Sequence, residues 1–433
     1  MTAPPPASAP TARDATSQRS TLPLLLLVIA VFFLFGGITN VSDLLVAKLK
    51  GLFSLNYAQA MLVQFAFFTS YALFSIPAGL LMNRVGYFKG IMTGFGIMIV
   101  ACLLFVPAAR SGAYAPFLAA LFVMGGGITL LQVAVNPLII SLGKPETAHS
   151  RLTFAQFFNS VGVFLIVTFG ARLILGQVAD VDPATLAGAA LDTYRTTESA
   201  VIAEAYVGLA IVLVLVAIVF WFWRKSLDQA SYATLRLEGA CALLANPRLR
   251  FGCLSIFVYV GAEVGVASMM VNYLGLPRTM ALVPVAAGIL LSYYWAGAMI
   301  GRFFGGFLLR RFRPGKVLMT FASGAIGLIA VSAFAHGSLA GWALVLVGFA
   351  NSIMFPTIFS LAAEGLKEDA SKASGLLCTA IVGGAIVPVL VGLTADAFGL
   401  TAGLIVPVVC YAIIARFGLF AEANRSVRAE VTH

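Results

Sequence analysis

Residues Gly125–Ser160 read GGGITLLQVAVNPLIISLGKPETAHSRLTFAQFFNS. Two apolar runs flank a short polar turn, 143–150, and both runs are long enough to be membrane-crossing helices. Gln132 and Asn136 stand four apart on the first, so they share a face; Gln156 and Asn159 stand three apart on the second and also share one. Counted back from the turn, Gln132 lies roughly 16 Å deep and Asn159 roughly 13 Å. Four amides therefore reach similar depth in a hydrophobic medium, where an amide without a partner costs several kcal/mol. A single amide there reads as interhelical glue. Four at matched depth read as a polar binding site.

Outward from this hairpin the same character continues. Hydrophobic residues make up 61% of the 433 and charged residues only 10%, against about a quarter charged in soluble domains. The chain is therefore read as an all-α, multi-span membrane protein set in a lipid bilayer. Twelve spans are expected, at 22–50, 57–83, 88–108, 114–142, 151–175, 201–223, 249–273, 282–309, 315–336, 339–365, 371–394 and 399–421. Residues 1–20, rich in Ala, Pro, Thr and Ser, are expected to form a disordered tail and lack the apolar core of a signal peptide. The polar, basic stretch 224–248 separates a six-helix bundle over 21–223 from a second over 249–421, with a short tail at 422–433.

Lys and Arg orient the chain. With the N-terminus cytoplasmic, 20 of them fall on the cytoplasmic side and six on the other, with Arg302 inside a span. Positive residues stay inside, so both termini are expected in the cytoplasm and the protein in a plasma membrane. The same rule accounts for the net charge of +10 without a nucleic-acid partner. The five Cys show no metal or redox spacing, and no His cluster argues for a metal site or cofactor.

The two halves repeat. Asp43 recurs as Glu263, 220 positions on; Asn136-Pro137 recurs as Phe355-Pro356, 219 on; GLLMNRVGYFK after the second span recurs as GGFLLRRFRPGK after the eighth. Parallel repeats of this kind are a known architecture of transporters, in which two pseudo-symmetric halves rock about a central site.

GLLMNRVGYFK, with Arg84 and Lys89, resembles the loop signature of the major facilitator superfamily, with Asn83 where an Asp is usual. LLQVAVNP, RLTFAQFFNS, GAEVGVASMMVNYL, SYYWAGAMIGRFFGG, NSIMFPTIFSLA and SGLLCTAIVGGAIVPVLVG, in that order, resemble its fucose/glucose/galactose symporter family, most closely the glucose/galactose branch. The resemblance covers nearly all of 22–420. It implies a major facilitator fold, a bacterial inner-membrane location, and Arg84 and Lys89 as a clamp for one conformational state. It also places Asp43 at the cation-coupling position. Fucose–proton symporters carry Glu where this chain has Gln132, and an amide cannot carry a proton, so the coupling charge is expected elsewhere.

Carboxylates inside spans are costly and functional by default. Asp43, with Asn40 one turn before it, and Glu263, flanked by Gly261 and Gly265, are the candidates for cation coupling. A proton on the carboxyl, or Na⁺ beside Asp43, would each cancel the charge. Arg302 reads as structural, and Glu364 and Asp396 as solvated residues at span ends. Amides bind sugar hydroxyls and aromatic rings bind sugar C–H faces. Asn40, Gln132, Asn136, Gln156, Asn159, Asn272, Tyr294 and Asn351 are the sugar-binding candidates. Pro137, Pro356 and Pro388 fall mid-span as bend points.

The expected function is cation-coupled uptake of a monosaccharide by alternating access, with H⁺ or Na⁺ as the co-transported ion. Glucose or galactose is the sugar the resemblance implies, and fucose or an amino sugar the alternative. A non-transporting sugar sensor is the alternative of a different class. An enzyme is not expected, because no catalytic set converges. One chain is expected to suffice as the working unit.

Overall fold

The computed structural model describes residues 12–141, 148–175, 186–224, 240–364, 366 and 370–431. Among them, eleven helical stretches are long and apolar enough to cross a membrane. The helices are α1 (Ala12–Phe53), α2 (Tyr57–Ser111), α3 (Ala115–Ser141), α4 (Ala148–Gly170), α5 (Ala189–Phe222), α6 (Pro247–Leu274) and α7 (Pro284–Arg311). They continue as α8 (Pro314–Phe334), α9 (Gly337–Asn351), α10 (Met354–Ala363), α11 (Ala370–Thr379), α12 (Gly383–Phe398) and α13 (Ile405–Val431).

Helix ends depart from the apolar runs in a consistent way. Apolarity marks the part of a helix that lipid covers, and polar residues can carry the helix further. Thus α1 begins at Ala12, inside the stretch expected to be a tail, and α5 begins at Ala189, twelve residues before the apolar run at 201. Asp192 sits in the first turn of α5, where a carboxylate complements the helix dipole. The stretch 57–83 forms the first limb of α2, which turns at Gly86 (φ 87°, ψ 169°) before its second limb. Only glycine takes that backbone geometry without strain.

The expected span 339–365 is one apolar stretch, Gly337–Ala363, whose helical hydrogen bonding is interrupted at Ser352 and Ile353. Pro356 has no N–H to give Ser352 O, its partner four residues back, and the two residues at the interruption keep right-handed backbone dihedrals. Pro356 then sits in the first turn of α10, where a missing N–H costs nothing. The expected bend is thus a break that frees mid-span carbonyls. Likewise, α11 passes through a 3₁₀ turn, Ala380–Val382, into α12, whose interior holds Pro388. At position 137 α3 remains helical.

Helices α1–α5 pack on one another, as do α6–α13. Glycine lets some of them touch backbone to backbone: a Cβ at Gly348 of α9 would stand 2.0 Å from Tyr294 O of α7. Among the described residues, the main contacts between the two groups are α1 with α6, α2 with α12 and α4 with α7. At one end of the join, a Cβ at Gly392 would come within 2.8 Å of the backbone at Tyr57 and Ala58. Beside it, Asp396 accepts from the N–H of Tyr57 (2.7 Å) and of Ala58 (2.8 Å). One group's carboxylate thereby caps a helix N-terminus of the other, where charge and dipole attract. Asp396 is exposed but not merely solvated, as its place at a span end suggested.

Candidate functional site

Asp43 is 2% exposed and sits on α1 at the join. Its Oδ1 accepts from Gln64 Nε2 of α2 (2.9 Å) and from Ser268 Oγ of α6 (3.0 Å). Gln64 Nε2 also reaches Ser268 Oγ (2.8 Å), and Ser42 Oγ donates to Gln64 Oε1 (3.2 Å). Gln64 and Ser268 are both fully buried, so this knot ties the two groups together in a dry interior. Asp43 Oδ2 is buried with no hydrogen-bond partner among the described residues, and so is Trp295 Nε1, which stands near the same carboxyl. A low-dielectric interior makes such an orphan oxygen expensive. The arrangement suits a small cation or proton more than a permanent bare charge.

The second acid is the centre of another network. Tyr259 Oη donates to Glu263 Oε1 (2.7 Å), and the same hydroxyl lies 3.1 Å from Asn351 O. Asn351 Nδ2 donates to Tyr294 Oη (2.7 Å), whose hydroxyl lies 3.2 Å from Glu263 O. Asn351 Oδ1 is buried without a hydrogen-bond partner among the described residues. The break before Pro356 explains why this network exists. Asn351 O has lost its place in the helix ladder and meets Tyr259. The freed Ser352 O meets Arg302 Nε at 3.4 Å.

Arg302, expected to be structural, lies inside its span and does not simply snorkel to the nearer end. Its guanidinium instead reaches from α7 across the join and donates through Nη1 to Ser160 Oγ on α4. Ser160 in turn bonds back to Gln156 O (3.1 Å), beside one of the sugar-binding candidates. The only available signal was an arginine eight residues before the loop, which long side chains usually explain by snorkelling.

Gln132, Asn159 and Asn40 bond within their own helix group rather than to each other. Gln132 Nε2 donates to Tyr71 Oη (2.9 Å), Asn159 Nδ2 to Phe32 O (3.1 Å), and Asn40 Nδ2 to Gly36 O (2.8 Å). Asn159 also packs on Gly36, so Asn159 and Asn40 converge there. Gln156 is half-buried. The side chains of Asn136 and Pro137 lie outside the described residues. Asn272 Nδ2 is buried without a partner among the described residues, on α6 beyond the Glu263 network. In the run Tyr293-Tyr294-Trp295, Tyr293 points outward and the other two are buried, as helical spacing requires. Arg84 and Lys89 are exposed on either side of the Gly86 turn.

Three ion pairs among the described residues have no sign in the sequence, one of them Arg313 Nη1 to Glu422 Oε1 at 3.2 Å. Lys48 Nζ meets Glu198 Oε2 at 2.6 Å, joining α1 to α5 in a buried pair. Arg248 pairs with Glu364, which therefore is not simply a solvated end residue. Among the described residues, no three His, Cys, Asp or Glu side chains gather as a metal site. An apolar recess of about 210 Å³, between the limbs of α2 and α3, shares no residue with either network.

The family pattern described as Major Facilitator Superfamily matches residues 26–388. The glucose/galactose transporter of Brucella abortus biovar 1 (strain 9-941) is 42% identical over 419 residues, covering 97% of this chain and 99% of that protein. The L-fucose-proton symporter of Escherichia coli (strain K12) is 33% identical over 421 residues, covering 94% and 95%. Among solved structures, the MFS transporter FucP in the outward conformation superposes with a TM-score of 0.70 at 32% identity, covering 93% of this chain and 99% of that one. A bacterial homolog of the lysosomal transporter Spinster, inward-facing and occupied, gives 0.72 at 18% identity, which speaks to the fold alone.

Proposed function

This chain belongs to the Major Facilitator Superfamily, and from that premise we propose that it takes up glucose or galactose together with H⁺ or Na⁺. It is a secondary active transporter that works by alternating access, not an enzyme, and it uses no cofactor. The sugar assignment rests on similarity to a glucose/galactose transporter at 42% identity and to a putative glucose/galactose transporter at 38%.

The architecture proposed is twelve spans in two pseudo-symmetric six-helix bundles, 21–223 and 249–421, joined by the 224–248 linker, with the tails 1–20 and 422–433 and both termini in the cytoplasm. The Asp396 end then faces outward and is the closed one. Sugar is held between the bundles by Asn40, Gln132, Asn136, Gln156 and Asn159 on one side and Asn272, Tyr294 and Asn351 on the other. Asp43 and Glu263 form the cation-coupling pair. Arg84 and Lys89 clamp the cytoplasmic side in the opposite state, and Pro137, Pro356 and Pro388 let spans bend. A monomer suffices.

One observation carries the coupling: Asp43 is buried in a knot that bridges the two helix groups, and its second oxygen, with Trp295 Nε1 near the carboxyl, makes no hydrogen bond among the described residues. A ligand that neutralises the carboxyl changes the stability of the closed join, so a cation gradient can bias the conformational equilibrium. The test is uptake of labelled glucose, galactose and fucose into proteoliposomes under separately imposed proton and sodium gradients. Glucose or galactose accumulating under one of the two gradients is expected. Accumulation of fucose alone, or uptake indifferent to both gradients, would overturn the proposal.

A further inference from the structure

We infer that the indole N–H of Trp295 takes the place of the coupling cation on Asp43 Oδ2, and so lets the unloaded transporter close and return. The inference rests on the reading of Asp43 as a coupling group and adds a positioning residue to it. It begins with two unmet needs in one place. Asp43 Oδ2 is a buried acceptor and Trp295 Nε1 a buried donor; neither is hydrogen-bonded among the described residues, and the indole stands near the carboxyl. Asp43 is 2% exposed and Trp295 7%. Buried polar atoms are nearly always paired, and an indole nitrogen can only donate. The polar side chains around Oδ1 are already engaged: Gln64 and Ser268 with Asp43 and with each other, and Ser42 with Gln64. Trp295 is the donor left over for Oδ2.

The two groups come from opposite sides of the join, Asp43 from α1 and Trp295 from α7. These helices run close together, and a Cβ at Gly288 of α7 would stand 3.4 Å from Leu44 Cδ2 of α1. A bond from Trp295 to Asp43 therefore ties the helix groups together, as the Ser268 bond does. The indole is braced edge-on against Tyr294, with ring centroids 5.1 Å apart at 86°, and Asn351 holds the Tyr294 hydroxyl. A phenylalanine ring would serve that packing equally. What the indole adds is a donor.

Cation and indole exclude one another at Oδ2. A proton on that oxygen turns it into a donor, and the N–H dipole repels Na⁺. With the cation bound, Oδ2 is satisfied and the indole is released. Once the cation has left, the N–H donates to the bare oxygen and keeps its own proton, so closing the join no longer buries an unpaired acceptor. Glu263, whose field also reaches Asp43, keeps its charge throughout, because the substitute is neutral. A symporter crosses its closed state unloaded once in every net cycle, and needs such a substitute there. In sugar exchange it crosses loaded both ways and does not.

The experiment uses the full chain in proteoliposomes, with whichever of glucose, galactose and fucose, and whichever of the proton and sodium gradients, gives accumulation by wild type. Trp295→Phe keeps a ring and loses the N–H. Net gradient-driven uptake should slow at least about fivefold, the effect of leaving a buried acceptor unpaired, while exchange of labelled for unlabelled sugar with the cation on both sides stays close to wild type. The cation concentration that half-saturates exchange should fall about tenfold, because a hydrogen bond to a charged group no longer competes. A second measurement keeps Trp295 in place. The other tryptophans, Trp221, Trp223 and Trp342, are exposed or half-buried and are replaced by Phe, and the remaining isotope-labelled indole is followed by NMR. Its N–H signal should move downfield when the cation is withdrawn, and should not move in Asp43→Asn. A signal that ignores the cation, or net uptake and exchange slowed by Trp295→Phe to the same extent, would overturn the inference. The reading of Asp43 fails on a separate result, wild-type accumulation by Asp43→Asn, and the inference would fall with it.

Discussion

Buried side chains here are governed by whether each charge has its partner. Lys48 and Glu198 are 4% and 10% exposed and 2.6 Å apart. Removing one partner of such a pair strands the other, at a cost of about 3–5 kcal/mol, whereas replacing both with apolar residues is often neutral. Lys48→Ala is therefore expected to lower the melting temperature in detergent sharply, and Lys48→Met/Glu198→Leu to recover most of the loss. Equal melting temperatures for wild type and Lys48→Ala would contradict that. Asp43 differs because its partners, Gln64 and Ser268, are neutral. Ser268→Ala removes the donor from the opposite helix group, and is expected to weaken cation-driven accumulation more than Ser268→Thr, which keeps the hydroxyl. Labelled-sugar uptake by the two variants decides this.

At the scale of elements, the break between α9 and α10 does more than any intact helix to build the site. Restoring an N–H with Pro356→Ala lets Ser352 O rejoin the helix ladder and withdraws it from Arg302. The expected result is a protein stabilised by up to about 3 kcal/mol and slower in transport, read from thermal melts and initial uptake rates. Gains in both would count against the break as a functional feature. The elements themselves were largely legible, because an apolar run of about twenty residues has few outcomes other than a membrane helix. The repeat of Asp43 as Glu263 likewise pointed to both networks. The break was hidden, since Pro356 alone looks the same whether a span kinks or splits. Arg302–Ser160, Asp43–Ser268 and Asp396–Tyr57 were hidden for another reason. Each joins residues 142 to 339 positions apart, and only the packing of α4 on α7, α1 on α6 and α2 on α12 brings them together.

The whole molecule is closed at one end by Gly392 against the α2 backbone and by Asp396 on the α2 N-terminus. Alternating access requires that contact to break once in every cycle. Asp396→Asn keeps the shape but loses the charge–dipole attraction, worth about 0.3–1 kcal/mol when exposed, and Gly392→Leu adds a wedge. Both should lengthen the distance between spin labels at Ala113 and Phe398, exposed positions at the closed end, and Gly392→Leu more so. Unchanged distances in both variants would mean that other contacts hold this end. Above these details stands the claim that one buried carboxylate, Asp43, converts a cation gradient into sugar movement. Its most direct test compares two modes of transport by Asp43→Asn in the same proteoliposomes. Exchange of labelled for unlabelled sugar without a gradient is expected to continue, while gradient-driven accumulation is lost; accumulation at the wild-type level by Asp43→Asn would contradict the account.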